Sequence, residues 1–191
     1  MRIVGVDPGL GGALVLLEQT AEERVRYVDC HDMPRTVRTA GAQKEVADCL
    51  VVKALLLQWQ PHVVACEFTH AQPLKVMGAQ RKGMGAVSAY NFGYSASVIE
   101  TTTLVLGIEL KLVSPQSWKA TMGLRKQDKR ASLAMAQRMF PTAPLQLVKH
   151  EARAEAMLIA VHVLTKEGRV SDAEIQRASR VEEIRTTQAL L

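Results

Sequence analysis

Glu151 and Glu155 stand four residues apart in the run His150-Glu-Ala-Arg-Ala-Glu-Ala-Met-Leu-Ile-Ala-Val-His162. On a helix, residues at this spacing share a face. The stripe continues through Leu158, Ile159 and His162, so the two acids lie at the margin of an apolar side. Like charges so placed repel by about a few tenths of a kcal/mol on an open surface, and the cost rises as water is withdrawn. A divalent cation would turn that repulsion into coordination. Taken alone, the pair also fits an exposed acidic first turn favoured by the helix dipole.

Two further carboxylates favour the metal. The chain opens Arg2-Ile-Val-Gly-Val-Asp7-Pro-Gly-Leu-Gly-Gly12, followed by a second apolar run, which predicts a β-hairpin with Asp7 at the end of its first strand. Pro8 biases Asp7 towards extended backbone, and the glycines permit the tight turn. The run Pro61-His-Val-Val-Ala-Cys-Glu67 delivers Glu67 to the end of another short apolar strand. One acid at a strand end is ordinary, whereas three acidic sites rimming buried segments suggest a cluster. Carboxylate oxygens suit a hard ion, so Mg²⁺ is the expected cofactor, with Mn²⁺ able to substitute.

The surrounding pattern predicts the elements that would position these acids. Strands are expected at residues 2–7, 12–18 and 25–31, a helix at 43–59 and a strand at 62–67. A glycine-punctuated basic segment at 71–85 precedes a long helix at 86–106, a strand at 109–113 and a short helix entered by Ser114-Pro115. Helices at 127–139 and 150–167 follow, then a charged terminal helix from Ser171 in which Ile175, Ala178 and Val181 could pack. This order predicts an α/β fold: a mixed five-stranded sheet flanked by helices, with the acids converging at one end.

These motifs resemble the RuvC-type Holliday junction resolvases of the RNase H-like superfamily over roughly residues 1–165. The likeness rests on the Asp-x-Gly-x-x-Gly hairpin, the distant strand ending in Glu, and the late acidic helix. It is closer to the phage and plant-chloroplast branch through Phe92-Gly93-Tyr94, Val113-Ser114-Pro115-Gln-Ser-Trp-Lys119, Asp128-Lys129, Phe140-Pro141 and Arg153-Ala-Glu-Ala-Met-Leu-Ile-Ala160. The resemblance implies an RNase H-like nuclease domain over 1–168 and a charged helical extension over 169–191. It implies two divalent metals held by Asp7, Glu67 and Glu155, and a lysine near the reacting phosphate, which maps onto Lys129. The fourth ligand is Glu151 or His150, with Glu151 preferred because it shares the face of Glu155. The implied activity is paired symmetrical nicking of four-way DNA junctions by a homodimer, with the long helix at 86–106 in its interface.

The chemistry matches that implication. Hydrolysis of a phosphodiester needs an activated water and neutralisation of charge on both the attacking and leaving oxygens, which two metal ions supply. Charge is also distributed as a DNA-binding protein requires. Of the 191 residues, 68–138 hold 10 Lys/Arg against 3 Asp/Glu, whereas 1–67 hold 7 against 9 and 139–191 hold 7 of each. Lys75, Arg81, Lys82, Lys119, Lys126 and Arg130 are the candidate phosphate contacts, with Tyr90, Phe92, Tyr94 and Trp118 interleaved as aromatics that could meet bases or fill the core.

Cys30, Cys49 and Cys66 have no Cys-x-x-Cys spacing, which argues against a zinc site or a disulfide framework. No apolar run reaches the length of a membrane span and the chain starts directly in a strand, so the expected setting is the cytoplasm of a bacterium or a phage-infected cell. Two other classes share parts of the pattern. Sugar kinases and actin-like ATPases use a similar hairpin as a phosphate loop but need two such domains, and a non-catalytic junction-binding module would not need four carboxylates.

Overall fold

The computed structural model describes residues 1–20, 24–38, 44–68, 75–77, 80–82, 86–171, 173 and 175. Strand β1 (Arg2–Asp7) pairs antiparallel with β2 (Ala13–Gln19), which pairs antiparallel with β3 (Val25–Asp32). The Asp7-to-Ala13 turn is tight: Gly12 donates to the Gly9 carbonyl at 2.8 Å, and a Cβ on Gly12 would stand 2.0 Å from the Asp7 carbonyl oxygen.

Where a helix from residue 43 is expected, Lys44–Ala47 forms strand β5 instead, paired with β4 (Arg35–Arg38). Helix α1 (Cys49–Trp59) starts only after Asp48, whose carboxylate accepts from the backbone N–H groups of Leu50 and Val51. That cap sets the boundary, because it satisfies donors the helix cannot satisfy itself. Strand β6 (Val63–Glu67) runs parallel to β1. The basic segment then forms a hairpin not anticipated from the sequence, β7 (Lys75–Met77) with β8 (Gln80–Lys82).

Helix α2 (Ala86–Val105) leads to β9 (Glu109–Val113), parallel to β6, completing a five-stranded sheet of order β3-β2-β1-β6-β9. Helix α3 (Pro115–Thr121) is capped by Ser114, and α4 (Lys129–Met139) by Asp128, two residues later than the pattern suggests. A 3-10 turn over Val148–His150 opens into α5 (Glu151–Lys166), which is buried from Ala154 to Leu164.

The central strand β1 is apolar on both faces and divides two cores. Ile3, Val63 and Ala65 join Trp118 and the buried side of α5 in one. Val4, Val6, Val64 and Cys66 join α1 and Ile99 of α2 in the other. Ile175 is buried in the first core; Ala178, Val181 and the rest of the terminal helix expected from the sequence lie outside the described residues. Among the described residues no helix is long and apolar enough to cross a membrane.

Candidate metal centre

Strand register brings two of the acids together. Gly5 lies beside Ala65 and Val6 beside Cys66, so Asp7 and Glu67 end adjacent parallel strands. Side chains alternate along a strand. Ile3 and Val63 face α5, so Asp7 and Glu67, at even spacing from them, point to that side. Gly5 lets the helix come close: a Cβ there would stand 1.9 Å from the Ala156 carbonyl oxygen and 3.0 Å from the Ala160 Cβ. Glu155 immediately precedes Ala156, whose backbone meets β1 at Gly5, and α5 covers the sheet face to which Asp7 and Glu67 point.

Helix α3 reaches the same place from β9. Trp118 is fully buried and its indole Nε1–H donates to Glu67 Oε2 at 2.7 Å. The next residue, Lys119, holds its ammonium 3.4 Å from Glu155 Oε1 and 4.9 Å over the Trp118 ring. Helix α3 is fastened to α5 by His162, whose Nδ1 is 2.8 Å from Thr121 Oγ1 and whose Nε2 is 3.3 Å from Ser117 Oγ. Trp118 is therefore a core residue that serves an acid, and it does not belong with the aromatics available to stack on bases.

Glu151 begins α5 and is half-buried. His150 is buried, and its Nδ1 accepts from the Leu147 N–H at 3.3 Å, closing the 3-10 turn. Arg153, between the two glutamates, points elsewhere. Its Nε and Nη2 clasp the two carboxylate oxygens of Asp32 at 2.6 and 2.9 Å, and its Nη1 donates to the Pro144 carbonyl at 3.2 Å. That clasp ties the start of α5 to the end of β3.

Negative charge is concentrated beneath this end of the sheet. Burial pushes the Cys66 thiol far above its ordinary range, and Glu100, Asp7 and Glu67 push it further. Glu100 of α2, which the sequence did not single out, lines a cleft of about 360 Å³ together with Glu67, Phe68, Phe92, Gly93 and Leu104.

Among the described residues no three His, Cys, Asp or Glu side chains are gathered into a ready-made cage for one ion. The carboxylates are turned towards separate neighbours: Asp7 Oδ1 towards the Gly9 N–H at 3.5 Å, Glu67 towards Trp118, and Glu155 towards Lys119. The residues nonetheless fit a divalent metal. Glu155 Oε1 is buried and receives no hydrogen bond, because Lys119, though within ion-pair range, is not aligned to donate. A buried acceptor without a donor costs about 1–3 kcal/mol, and more when charged. An all-oxygen donor set is what hard cations prefer.

Two solved structures of Thermus thermophilus RuvC are similar to this fold. The one in complex with Holliday junction substrate is 15% identical over 88% of this chain and 98% of that one, with a TM-score of 0.55. The other is 17% identical over 88% and 97%, with a TM-score of 0.51. The mixed five-stranded sheet with its flanking helices matches the RNase H-like α/β fold of these structures. No protein-family model and no curated protein matches the chain.

The remaining predicted site residues belong to α4, the loop before it and the β7–β8 hairpin. Lys129 is the first residue of α4, directly after its Asp128 cap. Lys75, Arg81 and Lys82 share the β7–β8 hairpin, Lys75 opposite Lys82. Arg130 is exposed on α4, and Lys126 is exposed with a left-handed backbone in the loop before it. The contacts of Trp118, Lys119 and His162 with their partners had no signal in the sequence, since those partners lie 36 to 51 residues away in the chain.

Proposed function

We propose that this protein is a structure-selective DNA endonuclease that resolves four-way junctions by paired symmetrical nicks. What supports the reading is the parallel register of β1 and β6, which ends adjacent strands in Asp7 and Glu67 on the sheet face covered by α5, the helix that bears the buried Glu155. The fold is shared with a RuvC solved on a Holliday junction, which supports the same class of substrate here.

Asp7, Glu67, Glu155 and Glu151 are the residues that would hold two Mg²⁺ ions, with Mn²⁺ as a substitute. The occupation of His150 within its own turn supports Glu151 as the fourth ligand. When bound, such ions supply activation of water and neutralisation of charge in an in-line displacement. All four would contribute carboxylate oxygen to the ions. Lys129 would meet the scissile phosphate. Lys119 beside Glu155, the exposed Lys126 and Arg130, and Lys75, Arg81 and Lys82 on the hairpin would bind flanking phosphates. Two matched nicks require two sites related by a two-fold axis, hence a homodimer joined through α2. The reading places the protein in recombination, repair or phage DNA processing, in the cytoplasm, and nearest the phage and chloroplast branch.

The deciding experiment incubates the protein with labelled duplex, flap and four-way junction DNA, with Mg²⁺ or with EDTA. Metal-dependent nicking at symmetrical positions of the junction, with little cutting of duplex, is expected. Equal cutting of all three substrates, or none of the junction, would refute the proposal.

A further inference from the structure

We infer that Trp118 is a positioning residue for the metal centre: its indole N–H holds one oxygen of Glu67 and so decides which oxygen is presented to the ion. This rests on the reading of Glu67 as a metal ligand. The contact is short, 2.7 Å, and links a neutral donor to a carboxylate, which places it among the stronger hydrogen bonds. Indole nitrogen can only donate, so the partner oxygen is committed as an acceptor. Trp118 has no exposure to solvent, and water does not compete at the nitrogen. Glu67, by contrast, ends a strand with a half-exposed side chain.

The donor is itself immobilised. Helix α3 starts at the Ser114 cap and is held against α5 by Ser117 and Thr121, both on His162. Trp118 lies between these two anchors in sequence and is fully buried, so close packing restricts rotation of its indole. Lys119 follows directly and sits beside Glu155. One turn of α3 thus addresses two acids from different elements, Glu67 by hydrogen bond and Glu155 by charge. Groups that orient metal ligands from behind typically change metal affinity or activity by about 10- to 100-fold when lost.

The test replaces Trp118 with 3-benzothienylalanine, which keeps the shape of the ring system and exchanges N–H for sulfur, alongside Trp118→Phe and Glu67→Gln. Binding of Mn²⁺ without DNA is measured from the paramagnetic resonance of the free ion, and Glu67→Gln identifies the site that depends on Glu67. The isostere is expected to weaken that site about tenfold or more. It should raise the Mg²⁺ needed for half-maximal cleavage, leave junction binding in EDTA unchanged and melt with the parent protein. Unchanged Mn²⁺ affinity in the isostere would overturn the inference, as would a loss of affinity that merely tracks a lowered melting temperature. Should Trp118→Phe fail to fold, the isostere alone carries the comparison. If the parent protein binds no Mn²⁺, or Glu67→Gln leaves binding untouched, the metal-centre reading fails first and the inference falls with it.

Discussion

Glu155 is buried with one oxygen lacking a hydrogen bond, and Asp7 stands beside Glu67 on the neighbouring strand. Removing one charge from such a group relieves repulsion while depriving a cation of its ligand. Asp7→Asn and Glu155→Gln should therefore lose cleavage by several orders of magnitude while binding junction DNA as well as, or better than, the parent, as a paired nicking and gel-shift assay would show. The adjacent pair makes a sharper comparison. His150 spends its Nδ1 on the Leu147 N–H, and Glu151 shares a helix face with Glu155. Glu151→Gln should abolish most cleavage and His150→Ala should retain much of it; the reverse order would move the ligand to His150.

Helix α5 can seat this closely on β1 only because the strand is bare at Gly5. A methyl group there meets backbone, the Ala156 carbonyl, which cannot swing aside as a side-chain tip could. Gly5→Ala should lower stability by about 1–3 kcal/mol or more, read as a shift of the urea midpoint at constant slope, and should impair cleavage through displacement of Glu155. The α3–α5 contact carries a pH dependence of its own. Burial, reinforced by the charge of Lys166, lowers the His162 pKa below its ordinary 6.5. The unfolded chain therefore takes up a proton at this group before the folded one does. Stability from His162 is complete above about pH 6.5 and declines as pH falls through the window below it. His150 is shifted in the same direction, chiefly by burial, and adds to the loss. Denaturation at pH 7.5 and 5.5 should show the parent losing stability on acidification, and His162→Gln losing less.

Assembly belongs to the whole molecule. Helix α2 leaves Val87, Tyr90, Leu104 and Val105 exposed, while Val98 packs against the α1 side of the sheet and faces inward. The exposed Val87, Tyr90 and Leu104 are where a second copy would pack if α2 forms the interface. Sedimentation at micromolar protein should give a dimer, and Leu104→Glu should shift it to monomer and uncouple the paired nicks. A monomeric parent, with or without junction, would oppose the two-fold architecture. The excess of positive charge in residues 68–138 predicts junction affinity that falls steeply with salt. Lys82→Ala should weaken binding and reduce the slope of log affinity on log salt by about one ion. An affinity indifferent to salt would place the DNA elsewhere.

Local chemistry alone made much of this protein legible. Asp7 before Pro8, Glu67 after four apolar residues and the apolar stripe behind Glu155 each announce an acid at the edge of a buried element, because side-chain periodicity and turn chemistry act over a few residues. The order of those elements was enough to anticipate the mixed five-stranded sheet that the fold displays. The hairpin of β4 and β5 was not legible: residues 44–47 read equally as the first turn of a helix until the pairing with Arg35–Arg38 claims their backbone groups. Nor could the sequence tell that Gly5 is a seat for α5, that Trp118 serves Glu67, or that Lys119 turns to Glu155. Each depends on chain segments that meet only when the sheet register and the packing of α3 and α5 are settled together. Those contacts are decided by burial of the cores as a whole, and no short window of sequence contains both partners.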